Sequence, residues 1–484
     1  MKEACGVFGI WAPGADIAHL TFDGIFSLQH RGQESAGMAV SDGEQITVVK
    51  DNGLVASVFD DRTLQSLRGD LAIGHTRYST AGSGDWRSAQ PVFRTVGNSG
   101  FALAHNGNLT NTEQLADRIG ALPGMGLTDS DVLAELIAHA HDEQLSRGGT
   151  LREALHETLP FVEGAFSLTI LDGEHIYGVR DPHGFRPLCL GRLGPEEAPT
   201  GFVLASESPA FDIIGATFLR EIEPGELIRI GPEGIVSERY VPLGEASPHL
   251  CIFEFVYFAR PDSRLHGREV HGTRRRMGEL LAIQAPVEAD MVMGVPDSGV
   301  PAAEGFAFAS GIPMGQGLIK NRYIGRTFIS PDQSARELGV RRKLNPLKEN
   351  IRGKRIVVVD DSIVRGTTTR ALVRMLREAG ALEVHLRISS PPFKWPCFYG
   401  IDTPTRAELL AANHTVVESA VYLDCDSLAY ISLPNLVAAI GSEGGFCDAC
   451  LSGVYPTPVS IDTERGRARA EAIERDLATA KPGA

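Results

Sequence analysis

Residues 355–380, RIVVVDDSIVRGTTTRALVRMLREAG, join an apolar run to two adjacent carboxylates and a stretch of small, hydroxylated residues. Ile356 to Val359 predict a buried strand ending at Asp360 and Asp361, and Ser362 to Thr368 predict a loop. A helix follows, with Leu372, Met375, Leu376 and Ala379 on one face and Gly380 at its C-terminal end. Ligands of open α/β sheets bind outside the carboxyl ends of strands. Backbone N–H groups, hydroxyls and the dipole of a helix N-terminus suit a phosphate there, and the paired carboxylates suit ribose hydroxyls or Mg²⁺. The plain alternative is a polar turn whose acids cap the start of the helix.

Cys5 offers a second chemistry. If Met1 to Ala4 are removed, one residue carries both a thiol and a free α-amine. An α-amine with a pKa of about 7.7–8.0 can take the thiol proton and later serve a leaving group. Lys2 is bulky, so ordinary removal of Met1 is not expected and would not reach Cys5; attack of the thiolate on the Ala4 carbonyl would. Taken alone, Cys5 reads by default as a small buried hydrophobe. Seven cysteines lie at 5, 189, 251, 397, 425, 447 and 450. In a reducing compartment they are structural, catalytic or metal-binding rather than disulfide-bonded. Cys447-x-x-Cys450 is compatible with zinc, a redox pair or an iron–sulfur cluster, while Cys189 and Cys425 have no assigned role.

These groups need elements to position them. A chain of 484 residues exceeds one compact core and implies two large domains or more. The net charge of -15 argues against a nucleic-acid-binding body, so an anionic substrate must be held by local donors. No run of about 18 apolar residues predicts a membrane span, and the N-terminus lacks the features of a signal peptide, so a cytoplasmic protein is expected. The first half reads as short strands, among them CGVFGIW (5–11), LAIGHTRY (71–78), FALAHNG (101–107) and FSLTIL (166–171). Helices are expected over 16–29 and 131–145. The second half alternates near-continuous apolar strands (291–296, 311–319, 355–361, 383–389) with helical patterns, as a parallel α/β sheet does. A polar, Pro- and Gly-broken stretch near 235–250 marks the boundary, and a charged tail begins near 457.

The loop VVDDSIVRGTT resembles the phosphoribosyl pyrophosphate loop of the type I phosphoribosyltransferases. CGVFGI (5–10), LQHRGQESAG (28–37), GHTRYSTAG (74–82), AHNGNLTN (104–111) and SDVLAEL (130–136) resemble, in order and spacing, the glutamine amidotransferases with an N-terminal nucleophile. With FEFVYFARPDS (253–263), GVPDSG (294–299), LIKNRYIGRTFI (318–329) and SPPFKWPCFYGID (390–402), residues 5–455 resemble the amidophosphoribosyltransferase family. That resemblance implies a propeptide (1–4), an αββα sandwich glutaminase of the N-terminal-nucleophile type (5–240), a phosphoribosyltransferase domain built on a parallel sheet (241–455) and a tail (456–484). The implied reaction is the first committed step of purine synthesis: ammonia from glutamine displaces pyrophosphate from phosphoribosyl pyrophosphate.

The resemblance also implies roles. Cys5 is the nucleophile, with Asn106 and Gly107 stabilising the oxyanion. Arg77 meets the glutamine α-carboxylate and Asp131 its α-ammonium, while Arg31 and Gly32 line that pocket. Asp360, Asp361, Ser362, Arg365, Gly366, Thr367 and Thr368 bind phosphoribosyl pyrophosphate, joined by Arg326 and Lys343 from a basic loop. Ser298, Asp360 and Asp361 hold Mg²⁺. Cys251, Cys397, Cys447 and Cys450 hold a [4Fe–4S] cluster of structural role. A homotetramer inhibited by purine nucleotides is implied as well. From the residues alone, Asp131 could simply favour its helix N-terminus, Arg77 could form a surface ion pair, and Asn106-Gly107 could turn a hairpin. The basic residues could form a solvated loop, and the four cysteines could be buried thiols or a Cys₄ zinc site. Other ammonia-feeding relatives of the glutaminase, or a nucleotide-sensing phosphoribosyltransferase fold, are rival readings. Glutamate release dependent on phosphoribosyl pyrophosphate separates them.

Overall fold

A computed structural model describes residues 5–78, 86–97, 100–120, 127–321, 341–401, 403, 405–441 and 444–458. The expected leader, residue Arg326 and most of the charged tail lie outside these residues.

Alternation of side chains builds the first half. Along the strand Gly6–Trp11, Phe8 and Ile10 point to one face and Val7 to the other. This strand is central in a seven-stranded antiparallel sheet, between Gly201–Ala205 and Leu71–Arg77. Six more strands, from Val92–Arg94 through Phe101–Leu109 and Gly164–Leu171 to Gly234–Arg239, form a second antiparallel sheet. Val7, Ile73, Ala102, Ala104, Leu204 and Ile228 fill the space between the sheets. The outer faces are covered by helices: Ile17–Ser27 packs Ile17 and Ile25 on Phe8, while Asp129–Ser146 packs Val132, Leu133 and Ile137 near Phe101 and Leu103. Each large apolar side chain so buried contributes about 1.5–3 kcal/mol. The result is the expected αββα sandwich.

The second half centres on four parallel strands in the order Met291–Gly294, Arg355–Asp360, Glu383–Ile388 and Ser427–Tyr430. Val357 and Val359 face one core, Ile356 and Val358 the other, which explains the uninterrupted apolar run. The helix Val300–Ser310 covers the first face and Thr367–Glu378 the second. One expected strand differs. Residues 311–319 make only a single parallel bridge, Met314 to Val292, before Leu318–Lys320 pairs antiparallel with Leu344–Pro346. Gly315 and Gly317 pass so close to the sulfurs of Met291 and Met293 that a Cβ would lie 2.3 and 2.4 Å away, so the segment packs on the sheet without continuing its ladder.

Candidate active site

Two sites and a thiol cluster emerge. The first is a cavity at the ends of Leu71–Arg77 and Phe101–Leu109, where Cys5, Arg77, Asn106, Gly107, Asp129 and Gly400 meet. Cys5 Sγ lies 3.7 Å from the Tyr78 carbonyl. Burial pushes its thiol pKa up, opposed by the Tyr78 contact and the charges of Arg77 and Arg31 and reinforced by Asp129. A raised thiol needs a base to become a nucleophile.

Asn106 is fully buried, and neither its Oδ1 nor its Nδ2 has a hydrogen-bond partner among the described residues. Gly107 follows at φ 153°, where a Cβ would lie 1.9 Å from the Ala165 carbonyl, so only glycine fits. The pair belongs to a strand in register with Ser167 and Phe166, not to the turn that Asn-Gly suggests. Arg77 lines the cavity, with Nη1 3.3 Å from Ser88 Oγ.

Three expected residues lie away from the cavity lining. Asp131 does not line the cavity. Its carboxylate accepts from the Thr128 backbone N–H at 3.1 Å and hydroxyl at 2.7 Å, closing a capping box, and pairs with Arg94 at 3.3 Å. Asp129, two residues earlier on the same helix, lines it instead, and its Oδ2 accepts from the Leu109 N–H at 3.2 Å. The TDSD sequence contains both acids; position in the first helical turn separates them. Arg31 lies behind the cavity, fully buried. It donates from Nε to the Cys5 carbonyl at 3.0 Å and pairs with Glu207 and with Glu254, the latter at 2.7 Å. Against the burial that would raise it, His30 and Arg31 hold the Glu207 carboxyl well below the usual range. Gly32 also lies outside the lining; a Cβ there would lie 2.5 Å from the Thr76 backbone, so it lets the Arg31 loop press on the strand.

The second site lies beyond the strand Arg355–Asp360. Ser298 Oγ donates to one Asp361 oxygen at 2.6 Å and Ser362 Oγ to the other at 2.5 Å. Burial, then the Asp361 charge, raises Asp360 far above the usual carboxylate range, with Lys343 the opposing charge. Such a pair favours a cation. The helix Thr367–Glu378 begins after Gly366 at φ 75° and has no side-chain cap, leaving its first N–H groups for a ligand. Thr367 and Thr368 form its first turn. Arg365 turns away, Nε donating to Glu408 at 3.0 Å. Burial, then the charges of Asp361 and Asp360, raise the Tyr257 hydroxyl pKa.

Cys251 and Cys447 stand opposite each other where Leu250–Cys251 and Phe446–Cys447 pair in parallel. Cys397 and Cys450 pack with them, and burial, followed by mutual repulsion with Cys397, Cys251 and Cys447, raises the Cys450 thiol. The backbone N–H of Tyr399 donates to Cys397 Sγ at 3.3 Å. Fully buried Arg186 adds positive charge beside Cys251 and Cys397. Soft acceptors gathered, hydrogen-bonded and faced by a cation suit thiolate ligands. No three His, Cys, Asp or Glu side chains among the described residues are gathered so as to hold a single ion.

Comparison with known proteins follows this division. A glutamine amidotransferase domain family matches residues 75–212, and a phosphoribosyl transferase domain family matches residues 274–389. An amidophosphoribosyltransferase of Mycobacterium tuberculosis is 53% identical over 497 residues, covering 100% of this chain and 91% of that protein. One of Bacillus subtilis is 46% identical, with 96% of each chain covered. Among solved structures, the glutamine phosphoribosylpyrophosphate amidotransferase of B. subtilis complexed with ADP and GMP superposes with a TM-score of 0.85 at 45% identity, covering 96% of this chain and 100% of that one.

Proposed function

The chain belongs to the amidophosphoribosyltransferase family, and from that premise we propose how its own residues carry the reaction. Its activity is the first committed step of purine synthesis: glutamine hydrolysis supplies ammonia that displaces pyrophosphate from 5-phosphoribosyl pyrophosphate, giving 5-phosphoribosylamine, glutamate and pyrophosphate. In this reading residues 5–240 form the glutaminase and 241–455 the phosphoribosyltransferase.

At the first site, Cys5 Sγ attacks the glutamine side-chain amide. Its own α-amine, free once Ala4 is removed, takes the thiol proton and returns it to the departing ammonia. The oxyanion is received by Asn106 Nδ2 and the Gly107 N–H, the former buried without a protein partner. Arg77 holds the α-carboxylate, and Asp129, in place of Asp131, holds the α-ammonium. Hydrolysis of the thioester then frees glutamate.

At the second site, the uncapped N-terminus at Thr367 and Thr368 binds the 5-phosphate, with Ser362 and Gly366 shaping the loop. Asp360 and Asp361 accept from the ribose hydroxyls and, with Ser298, fit Mg²⁺, which when bound neutralises charge on the pyrophosphate. Arg326 and Lys343 would add positive charge to the same group. Ammonia attacks C1 of the ribose as pyrophosphate leaves. Cys251, Cys397, Cys447 and Cys450 would hold a [4Fe–4S] cluster whose role is to tie distant segments together. The B. subtilis enzyme's ADP and GMP support purine nucleotides as ligands here, and a homotetramer remains the proposed assembly.

The unpartnered Asn106 beside Cys5 is the observation that most supports the two-site mechanism. Cys5→Ala should abolish glutamine-dependent synthesis and leave ammonia-dependent synthesis in place. Equal loss with both nitrogen donors would sink the reading.

A further inference from the structure

The wall of the Cys5 cavity is completed from the other half of the chain. Gly400 lines it, although about 160 residues separate it from the last strand of the αββα sandwich, which ends at Arg239. Two successive residues before it are gripped by side chains of the first half. The Phe398 carbonyl accepts from Asn108 Nδ2 at 2.9 Å. The Tyr399 carbonyl accepts from Arg186 Nε at 3.1 Å and Nη2 at 2.7 Å, and its ring stacks on Phe185 with centroids 4.2 Å apart. Gly400 itself sits at φ 104°, where a Cβ would lie 3.2 Å from the Gly107 carbonyl carbon, 3.3 Å from its oxygen and 3.0 Å from Arg186 Nη2.

Asn108 and Gly107 adjoin the oxyanion donor Asn106 on one strand. We propose that the Phe398–Gly400 segment is a positioning element for the oxyanion site, clamping the Asn106–Asn108 strand from the phosphoribosyltransferase half. This deepens the glutaminase reading and rests on it. The sandwich alone leaves Gly107 without its outer neighbour, because that neighbour is backbone from residue 400. Asn106 Nδ2 has no partner to hold its direction, so its aim depends on the strand beneath it. The clamp fixes that strand by a side-chain hydrogen bond at Asn108 and by close packing at Gly107.

The test compares Gly400→Ala with wild type in the full-length enzyme. A methyl group at Gly400 must push on Gly107 or strain its own backbone. Glutamine-dependent kcat should fall at least about tenfold, with glutamine KM changed by less than about threefold, the pattern of a lost transition-state contact. Alkylation of Cys5 by iodoacetamide, a displacement with no oxyanion, should proceed at the wild-type rate. Ammonia-dependent synthesis reports folding. If it is lost as well, Asn108→Ala decides, since it removes only the grip on Phe398. Its ratio of glutamine- to ammonia-dependent kcat should drop at least about threefold, the size of one net hydrogen bond. An unchanged ratio, a loss confined to KM, or slowed alkylation would overturn the clamp. Failure of the glutaminase reading itself would appear separately, as glutamine-dependent synthesis surviving in Cys5→Ala.

Discussion

Asn106 holds two buried polar atoms with no partner among the described residues, an arrangement that costs about 1–3 kcal/mol per group. A fold tolerates that cost where a ligand supplies the missing partner. Asn106→Ala should therefore lower glutamine-dependent kcat by about 10²–10³ while leaving ammonia-dependent synthesis intact, as steady-state rates with each donor would reveal. A change of less than about threefold would remove Asn106 from the oxyanion site. Arg31 teaches the opposite lesson. The sequence marks it as close to the nucleophile, which it is, but two buried carboxylates from distant segments take its guanidinium and leave only its Nε for the Cys5 carbonyl.

At the scale of elements, the helix Asp129–Ser146 shows how one turn divides labour between similar residues. Asp129 opens the helix toward the cavity, while Asp131 sits two positions on and folds back onto Thr128. Asp131→Asn should destabilise the protein by about 1 kcal/mol, a typical capping contribution, with glutamine KM unchanged. Asp129→Asn should raise glutamine KM at least about tenfold, since it removes the charge opposite the α-ammonium. Paired thermal melts and steady-state kinetics check both, and the reverse pattern would restore Asp131 to the site. The strand Arg355–Asp360 and the helix Thr367–Glu378, in contrast, fall where periodicity puts them. The strand is buried between two cores and the helix packs its apolar stripe on one of them, so no neighbour competes for their register.

The halves of the molecule interlock. Glu254, beyond the last strand of the sandwich, pairs with Arg31 at 2.7 Å and Arg186 at 3.3 Å, all with fully buried side chains. Arg186 in turn faces the thiol cluster. Cys5, the ion pairs and the cysteine group are therefore linked in one series of contacts, and loss of the cysteine group should loosen all of it. Protein purified without oxygen should be brown and carry about four irons per chain, and oxidative removal of the iron should hasten proteolysis. Colourless protein containing zinc would replace the cluster with a Cys₄ site.

Local pattern was enough to read antiparallel strands in the first half and a parallel sheet in the second, while the roles of the site residues came through family resemblance. Alternation along Gly6–Trp11 and the apolar run of Arg355–Asp360 follow from local patterns that tertiary contacts have no reason to override. The cysteines at 251, 397, 447 and 450 were legible only through family resemblance, because nothing local brings such distant positions together. Tertiary structure alone decided which of Asp129 and Asp131 faces the cavity, since a rotation of about 200° around the helix separates them. It also decided that Arg31 is a buried tie and that residues 311–319 pack on the sheet without extending its ladder. Gly400 is the clearest case. Its neighbours suggest only a loop, and its place against Gly107 exists because two separately patterned halves dock, an event that local sequence does not encode.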